Sequence, residues 1–122
     1  MKSKESLAEN CSYLYDEFLT NTEKFQSIAH FRRSPGGFLL MLKIFEYHFS
    51  GHDLHVEQLI RYVPSSLSSR LSLFDLIDNA VKKEILFKIS SQKDHRKKAI
   101  SASDTFIKEF KDWLSHFMEG RS

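Results

Sequence analysis

Residues 54–101 read LHVEQLIRYVPSSLSSRLSLFDLIDNAVKKEILFKISSQKDHRKKAIS, and this stretch decides the fold. Apolar residues at helical spacing around Leu59 predict a short helix that ends before Pro64. A second helix is predicted at 68–83, and two short strands, 85–89 and 99–101, flank a charged loop. Helix, turn, helix and a hairpin with a basic tip outline a winged helix-turn-helix. The expected fold class is therefore mainly α (α+β), with a small β-hairpin wing and long N- and C-terminal helices.

The length of 122 residues predicts a single domain, 1–122, with three parts. These are an N-terminal helix (1–33), the winged helix-turn-helix core (38–101) and a C-terminal helix (103–119). Residues 5–31 of the first part read as one long helix with a heptad seam, because apolar positions alternate in steps of four and three. The seam consists of Leu7, Cys11, Leu14, Phe18, Asn21, Phe25 and Ile28. We expect a dimerisation helix and a homodimer, although packing on its own domain alone would also explain the seam.

Local signals predict where the other helices begin and end. The segment 32–37, with Pro35 and two glycines, is expected to end the N-terminal helix. A buried helix is expected to follow at 38–49 and to stop at 50–51. Expected N-caps are Asp53 for the short helix, Ser68 for the next helix and Ser103 for the last. An aromatic row on the last helix needs a partner, which the N-terminal helix of the same or another chain could supply. The row is Phe106, Phe110, Trp113 and Phe117.

Positive charge is concentrated in the winged helix-turn-helix segment. The chain has a net charge of only +2, but residues 61–98 hold nine Lys/Arg against four Asp/Glu, a net of +5. The rest of the chain holds nine against twelve, a net of −3. A basic surface on the helix-turn-helix and wing is the pattern expected for binding double-stranded DNA.

Asp94-His95-Arg96, with the apolar strand and helix that follow it, resembles the Asp-x-Arg wing signature of the MarR family of bacterial transcriptional regulators. The order of elements is also similar to the DNA-binding core of that family. Glu84 departs from the pattern, since the family usually has glycine where the second helix turns into the first wing strand. The resemblance implies a dimeric DNA-binding transcriptional regulator that responds to a small-molecule or redox signal.

The helix 68–83 is expected to be the recognition helix in the major groove. The residues expected to contact DNA from its first turn are Ser68, Ser69, Arg70 and Ser72. Small hydroxyls allow a close approach to DNA, and arginine can pair with guanine or phosphate. Phe74 and Asp75 suit this surface only if they meet a thymine methyl group and a cytosine amino group, respectively, or if Asp75 orients Arg70. An ordinary polar helix entrance would also explain the serines.

In the wing, Asp94 is expected to hold the guanidinium of Arg96 for insertion into the minor groove, where narrow A·T-rich DNA attracts arginine. Lys93, Lys97 and Lys98 would bind the flanking phosphates. A hairpin tip that is merely solvated is the alternative for this loop. The alternative function is a winged helix that mediates protein–protein contact without specific DNA binding.

Other kinds of site have weaker support. No nucleophile or phosphate-loop motif is present, so neither an enzyme nor a cofactor is expected. His48, His52 and His55 lie close in sequence, but a metal site is not expected because no cysteine joins them. The sequence has no signal peptide core or membrane span, which predicts a soluble cytoplasmic protein.

Cys11 is the single cysteine. With Tyr15 one turn later, it resembles the arrangement in the organic-hydroperoxide-sensing branch of the family, which implies a redox sensor. Nearby acidic residues and the apolar seam instead favour a buried cysteine that acts as a small hydrophobic residue.

Overall fold

A computed structural model describes residues 4–90 and 98–119, without the side chains of Lys4 and Asn21. The helices are α1 (Lys4–Lys24), α2 (Gln26–Arg32), α3 (Pro35–Ser50), α4 (Val56–Arg61), α5 (Arg70–Lys82) and α6 (Asp104–Glu119). Strands β1 (Leu86–Ser90) and β2 (Lys98–Ala102) pair in an antiparallel hairpin. The predicted fold class and hairpin wing are confirmed. Within the described ranges, no helix is long and apolar enough to cross a membrane.

The single helix predicted over residues 5–31 is wrong. The chain leaves helical geometry at Phe25, where φ is −106° and ψ is 95°, so α1 and α2 are separate helices. Phe25 and Ile28 are buried in the core, whereas Leu7 and Leu14 stay exposed on α1. The break therefore divides the heptad seam, because it directs the second half inward and leaves the first half uncovered by the rest of the chain.

The predicted break at 32–37 is shorter than expected, since α3 begins at Pro35. Ser34 caps this helix, with its Oγ accepting the N–H of Gly37 at 3.1 Å. A Cβ on Gly37 would lie 2.3 Å from the carbonyl oxygen of Phe31, so only glycine fits this contact. The glycines therefore belong to the helix and let α3 approach α2 closely. The predicted stop after residue 50 is confirmed, because Gly51 has φ 76°.

The short helix α4 begins after His55, so Asp53 is not its N-cap as predicted. The reason is that the chain is extended just before the helix. His55 forms a β-bridge with Ala99, and the carbonyl of Leu54 accepts the N–H of Ile100 at 2.8 Å. The segment before α4 therefore pairs with β2 and attaches the hairpin to the helix-turn-helix.

The turn from α5 into β1 passes through Glu84, which has φ 61°. This left-handed conformation is unfavourable for a residue with a side chain. The N–H of Ile85 bonds the carbonyl of Ala80 at 2.9 Å and closes the end of the helix. Glu84 thus occupies the position where the family resemblance implies glycine.

The core is built around aromatic rings. Phe45 stacks on Phe110 with ring centroids 3.9 Å apart, and Phe31 stacks on Phe106 at 5.3 Å. Phe106, Phe110 and Trp113 are buried, so most of the aromatic row on α6 packs within its own chain. Ser103 caps α6 as predicted, since its Oγ accepts the N–H of Phe106 at 3.1 Å.

A buried ion pair holds α1 on this core. Both carboxylate oxygens of Glu17 accept hydrogen bonds from Arg32 at 2.7 Å, and one also accepts the indole N–H of Trp113 at 2.7 Å. The guanidinium of Arg32 lies over the rings of Phe18, Phe38 and Trp113, at 4.7, 5.7 and 5.2 Å. These contacts join α1, α2, α3 and α6.

Candidate nucleic-acid interface

Helix α5 buries one side and exposes the opposite side. Leu73, Ile77 and Ala80 are buried against the core. At 100° per residue, the side opposite to them carries Leu71 and Asp75 in the first two turns, and Asp78 and Lys82 further along. All four of these residues are exposed. This surface, residues 71, 75, 78 and 82, is called the outward face of α5.

The serines before and within the first turn of α5 serve the helix itself. Ser69, and not Ser68 as predicted, is the N-cap: its Oγ accepts the N–H of Ser72 at 3.1 Å and donates to the Ser72 hydroxyl at 2.9 Å. Ser68 is half-buried, and a Cβ on Gly36 would lie 2.7 Å from the Ser68 Cβ. Ser68 therefore packs against α3 at Gly36, while Ser69 and Ser72 are exposed.

Arg70 lies beside the outward face and is directed towards α4. Its Nη2 donates a hydrogen bond to Glu57, and its guanidinium lies 5.0 Å from the centre of the Phe74 ring. Both partners of the Arg70–Glu57 pair are more than half exposed. Such a pair is weak in water, so Arg70 can exchange Glu57 for a phosphate or a base.

A cleft of about 720 Å³ separates α4 and α5 from the hairpin. Its lining residues are His55, Val56, Glu57, Gln58, Arg61, Phe74, Lys88 and Lys98. Three of them are permanent cations, and Lys88 also donates to Asp78 at 3.0 Å. Phe74 therefore lies in the cleft and not on the outward face. Sequence reasoning included Arg61 and Lys88 in the basic segment but did not identify them as site residues.

The two strands of the hairpin border this cleft through Lys88 and Lys98. Its register runs from Leu86 opposite Ala102 to Ser90 opposite Lys98. Lys98 is exposed, and its Nζ donates to the Ser90 hydroxyl at 3.1 Å. The other wing residues expected to bind DNA, Lys93, Asp94, Arg96 and Lys97, lie outside the described residues, so their minor-groove contacts stay a prediction.

His30 connects α2 to α5. Its Nε2–H donates to the carbonyl of Leu76 at 2.9 Å. Burial lowers the pKa of His30, the hydrogen bond to Leu76 partly offsets this, and the charges of Lys83 and Arg33 lower it further. The imidazole is therefore held neutral, as a donor to the middle of α5.

The remaining candidate residues are distributed over the surface. Cys11 is exposed on α1, and Tyr15 is 67% exposed, so the expectation of a buried cysteine is wrong within this chain. A redox role for this pair stays a hypothesis.

His48 packs edge-on against Phe49, and His52 bonds the hydroxyl of Ser50. In residues 4–90 and 98–119, no group of three or more His, Cys, Asp or Glu is arranged to hold a metal ion.

No protein-family model and no curated protein matches this sequence. Solved structures do match its fold. A mutant of S. aureus MepR, bound to an oligodeoxyribonucleotide, superposes with a TM-score of 0.56 and 16% identity, over 88% of this chain and 76% of that chain. The chain has the MarR-type winged-helix fold.

Two further matches agree with this MarR-type fold. The heme sensor PefR from Streptococcus agalactiae, in complex with heme, has a TM-score of 0.54 and 17% identity, over 96% of this chain and 77% of that chain. YusO from Bacillus subtilis has a TM-score of 0.50 and 14% identity, over 94% of this chain and 78% of that chain. In the MarR-type fold, α4 and α5 form the helix-turn-helix, with α5 as its second helix, and the β1–β2 hairpin is the wing.

Proposed function

We propose that the chain is a DNA-binding transcriptional regulator that works as a homodimer, with α5 in the major groove and the wing along the adjacent minor groove. One observation carries this proposal: the outward face of α5 lies next to a cleft that holds Arg61, Lys88 and Lys98. The structure of MepR bound to an oligodeoxyribonucleotide supports the same use of the fold.

Electrostatics supports this orientation. Phosphates along one edge of the major groove would meet the cations of this cleft, from α4 (Arg61) and from the hairpin (Lys88 and Lys98), while α5 enters the groove beside them. The wing tip would extend this surface, with Arg96 in the minor groove and Lys93 and Lys97 on phosphates. Such contacts position a protein on DNA without reading its sequence.

The proposed dimer rests on the uncovered seam of α1. The exposed large apolar residues of this helix are Leu7, Leu14, Tyr15, Phe18 and Leu19. Leu114 and Met118 of α6 are also exposed. The opposite side of α1 packs on α6, where Tyr13 donates to the carbonyl of His116 and Glu17 binds Trp113. A second copy of the chain would cover a surface of this size and composition.

The DNA-binding proposal is tested by titrating a labelled random duplex over a range of salt concentrations. The wild type should bind with a steep salt dependence, and Lys98→Ala or Arg61→Ala should each reduce the slope of log K against log salt by about one unit. Lys111→Ala is the matched control, because Lys111 lies on α6 against Phe49. Binding to a protein partner that is insensitive to salt and to these changes would instead support the alternative, a protein–protein module.

The dimer is tested by sedimentation of Leu14→Glu. A charge in the middle of the seam should convert the dimer to a monomer, because an unpaired carboxylate would be buried in the interface. Thr20→Glu is the control, since Thr20 is exposed on α1 away from the seam. A Leu14→Glu protein that remains a dimer would remove α1 from this role.

A further inference from the structure

We propose that Leu71 reads the sequence of the bound DNA by packing against the C5-methyl group of a thymine in the major groove. This inference rests on the DNA-binding function proposed above. Leu71 is 71% exposed, the largest fraction among the exposed large hydrophobic residues of the described chain. A leucine so exposed in the first turn of α5 gains little from its own fold.

The direction of Leu71 supports this role. It lies on the side of α5 opposite the buried Leu73 and Ile77, so it points away from the core in the turn that would enter the groove first. Its larger neighbours are directed elsewhere, since Arg70 pairs with Glu57 and Phe74 lines the cleft. Leu71 is therefore the apolar side chain that α5 presents to a base edge.

The outward face of α5 does not extend Leu71 into an apolar patch that would suit a protein partner. The rest of the outward face is charged, with Asp75 one turn later and then Asp78 and Lys82. A protein-binding site usually offers a continuous apolar patch of several hundred Å². A leucine that is the single apolar residue of the outward face instead suits a groove whose base edges are polar apart from the thymine methyl group.

The chemistry predicts a preference of limited size. Leucine has no polar atom, so it makes no hydrogen bond to a base and its favourable contact with thymine is with the C5-methyl group. Burying one methyl-sized group contributes a factor of about 4 in affinity, or about 15 when both half-sites of a dimer make the contact.

The test uses a duplex site selected from a random pool by the wild-type protein. Each thymine is replaced in turn by deoxyuridine, which lacks the methyl group and keeps the hydrogen bonds. Affinities are measured for the wild type, Leu71→Ala and the control Leu67→Ala, because Leu67 is also an exposed leucine near α5. One position per half-site should weaken wild-type and Leu67→Ala binding about fourfold and leave Leu71→Ala unchanged.

Other results would overturn the inference in separate ways. If no deoxyuridine position affects the wild type, or if the effect persists in Leu71→Ala, Leu71 does not read thymine even though the protein binds DNA. An effect lost in Leu67→Ala would assign the contact to Leu67. If no duplex is bound at low salt, the proposed function itself fails, and this inference fails with it.

Discussion

Replacing Glu17 by alanine should destabilise the protein more than any change on the proposed DNA surface. The Glu17 side chain is 1% exposed and the Arg32 side chain 9% exposed. Removing the carboxylate leaves the guanidinium enclosed by three rings without a counterion, and also leaves the Trp113 N–H without its acceptor. Loss of one partner of a buried pair costs about 3–5 kcal/mol.

This cost is large compared with the stability of a domain, which is roughly 5–15 kcal/mol. For a chain of this size, each kcal/mol lowers the melting temperature by about 3–6 °C, so Glu17→Ala should melt roughly 10–30 °C below the wild type. The measurement is chemical and thermal denaturation followed by circular dichroism. Protein concentration must be held fixed, because the proposed dimer would make stability depend on concentration.

Two matched variants isolate the cause. Glu57→Ala removes the exposed pair with Arg70 and should lower the free energy of unfolding by at most about 1 kcal/mol. Glu17→Gln combined with Arg32→Met removes both buried charges and keeps an acceptor for Trp113, so it should recover most of the loss. If Glu17→Ala costs less than Glu57→Ala, or if the double variant is as unstable as Glu17→Ala, the buried pair does not hold α1 as described.

Three further predictions concern the backbone and pH. Glu84→Gly should raise the free energy of unfolding by roughly 0.5–1 kcal/mol, because φ is 61° there, while Glu84→Gln should leave it unchanged. Gly37→Ala should lower it by about 1–3 kcal/mol, since the new Cβ would clash with the Phe31 carbonyl. The lowered pKa of His30 means that the unfolded chain binds the proton more tightly, so stability should fall as pH drops below about 6.5. Urea denaturation at pH 7 and pH 5 should show this loss reduced in His30→Gln, and an equal loss in both proteins would contradict it.

The sequence predicts the outline of this fold because its strongest signals are local. Helical spacing, the break at Pro64 and the strand signals around the basic loop depend on neighbouring residues, and the elements they predict are present. The family resemblance implies glycine at position 84, and Glu84 has the left-handed conformation that favours glycine, although the sequence pattern did not predict that conformation. The helix break at Phe25 was not predicted, because the heptad seam continues through it and only packing against the core reveals it.

The candidate interface was harder to predict, because the orientation of α5 depends on tertiary contacts. Residue type suggested that Ser68 and Arg70 face the DNA. In the structure, Ser68 packs against Gly36, and Arg70 donates a hydrogen bond to Glu57 of α4. Leu71 was not identified, since an apolar residue in a predicted helix is normally assigned to the core. Its outward position follows from the burial of Leu73 and its neighbours on the opposite side.

The central claim is that α5 enters the major groove in each half of a dimeric complex. Methylation interference on a selected duplex tests this directly, because methylation of guanine N7 blocks the major groove. We expect interference in two symmetric clusters whose centres lie about one helical turn, roughly 10 base pairs, or a multiple of it apart. A protein that binds equally well after methylation of the major groove, or that gives a single cluster without symmetry, would contradict the claim.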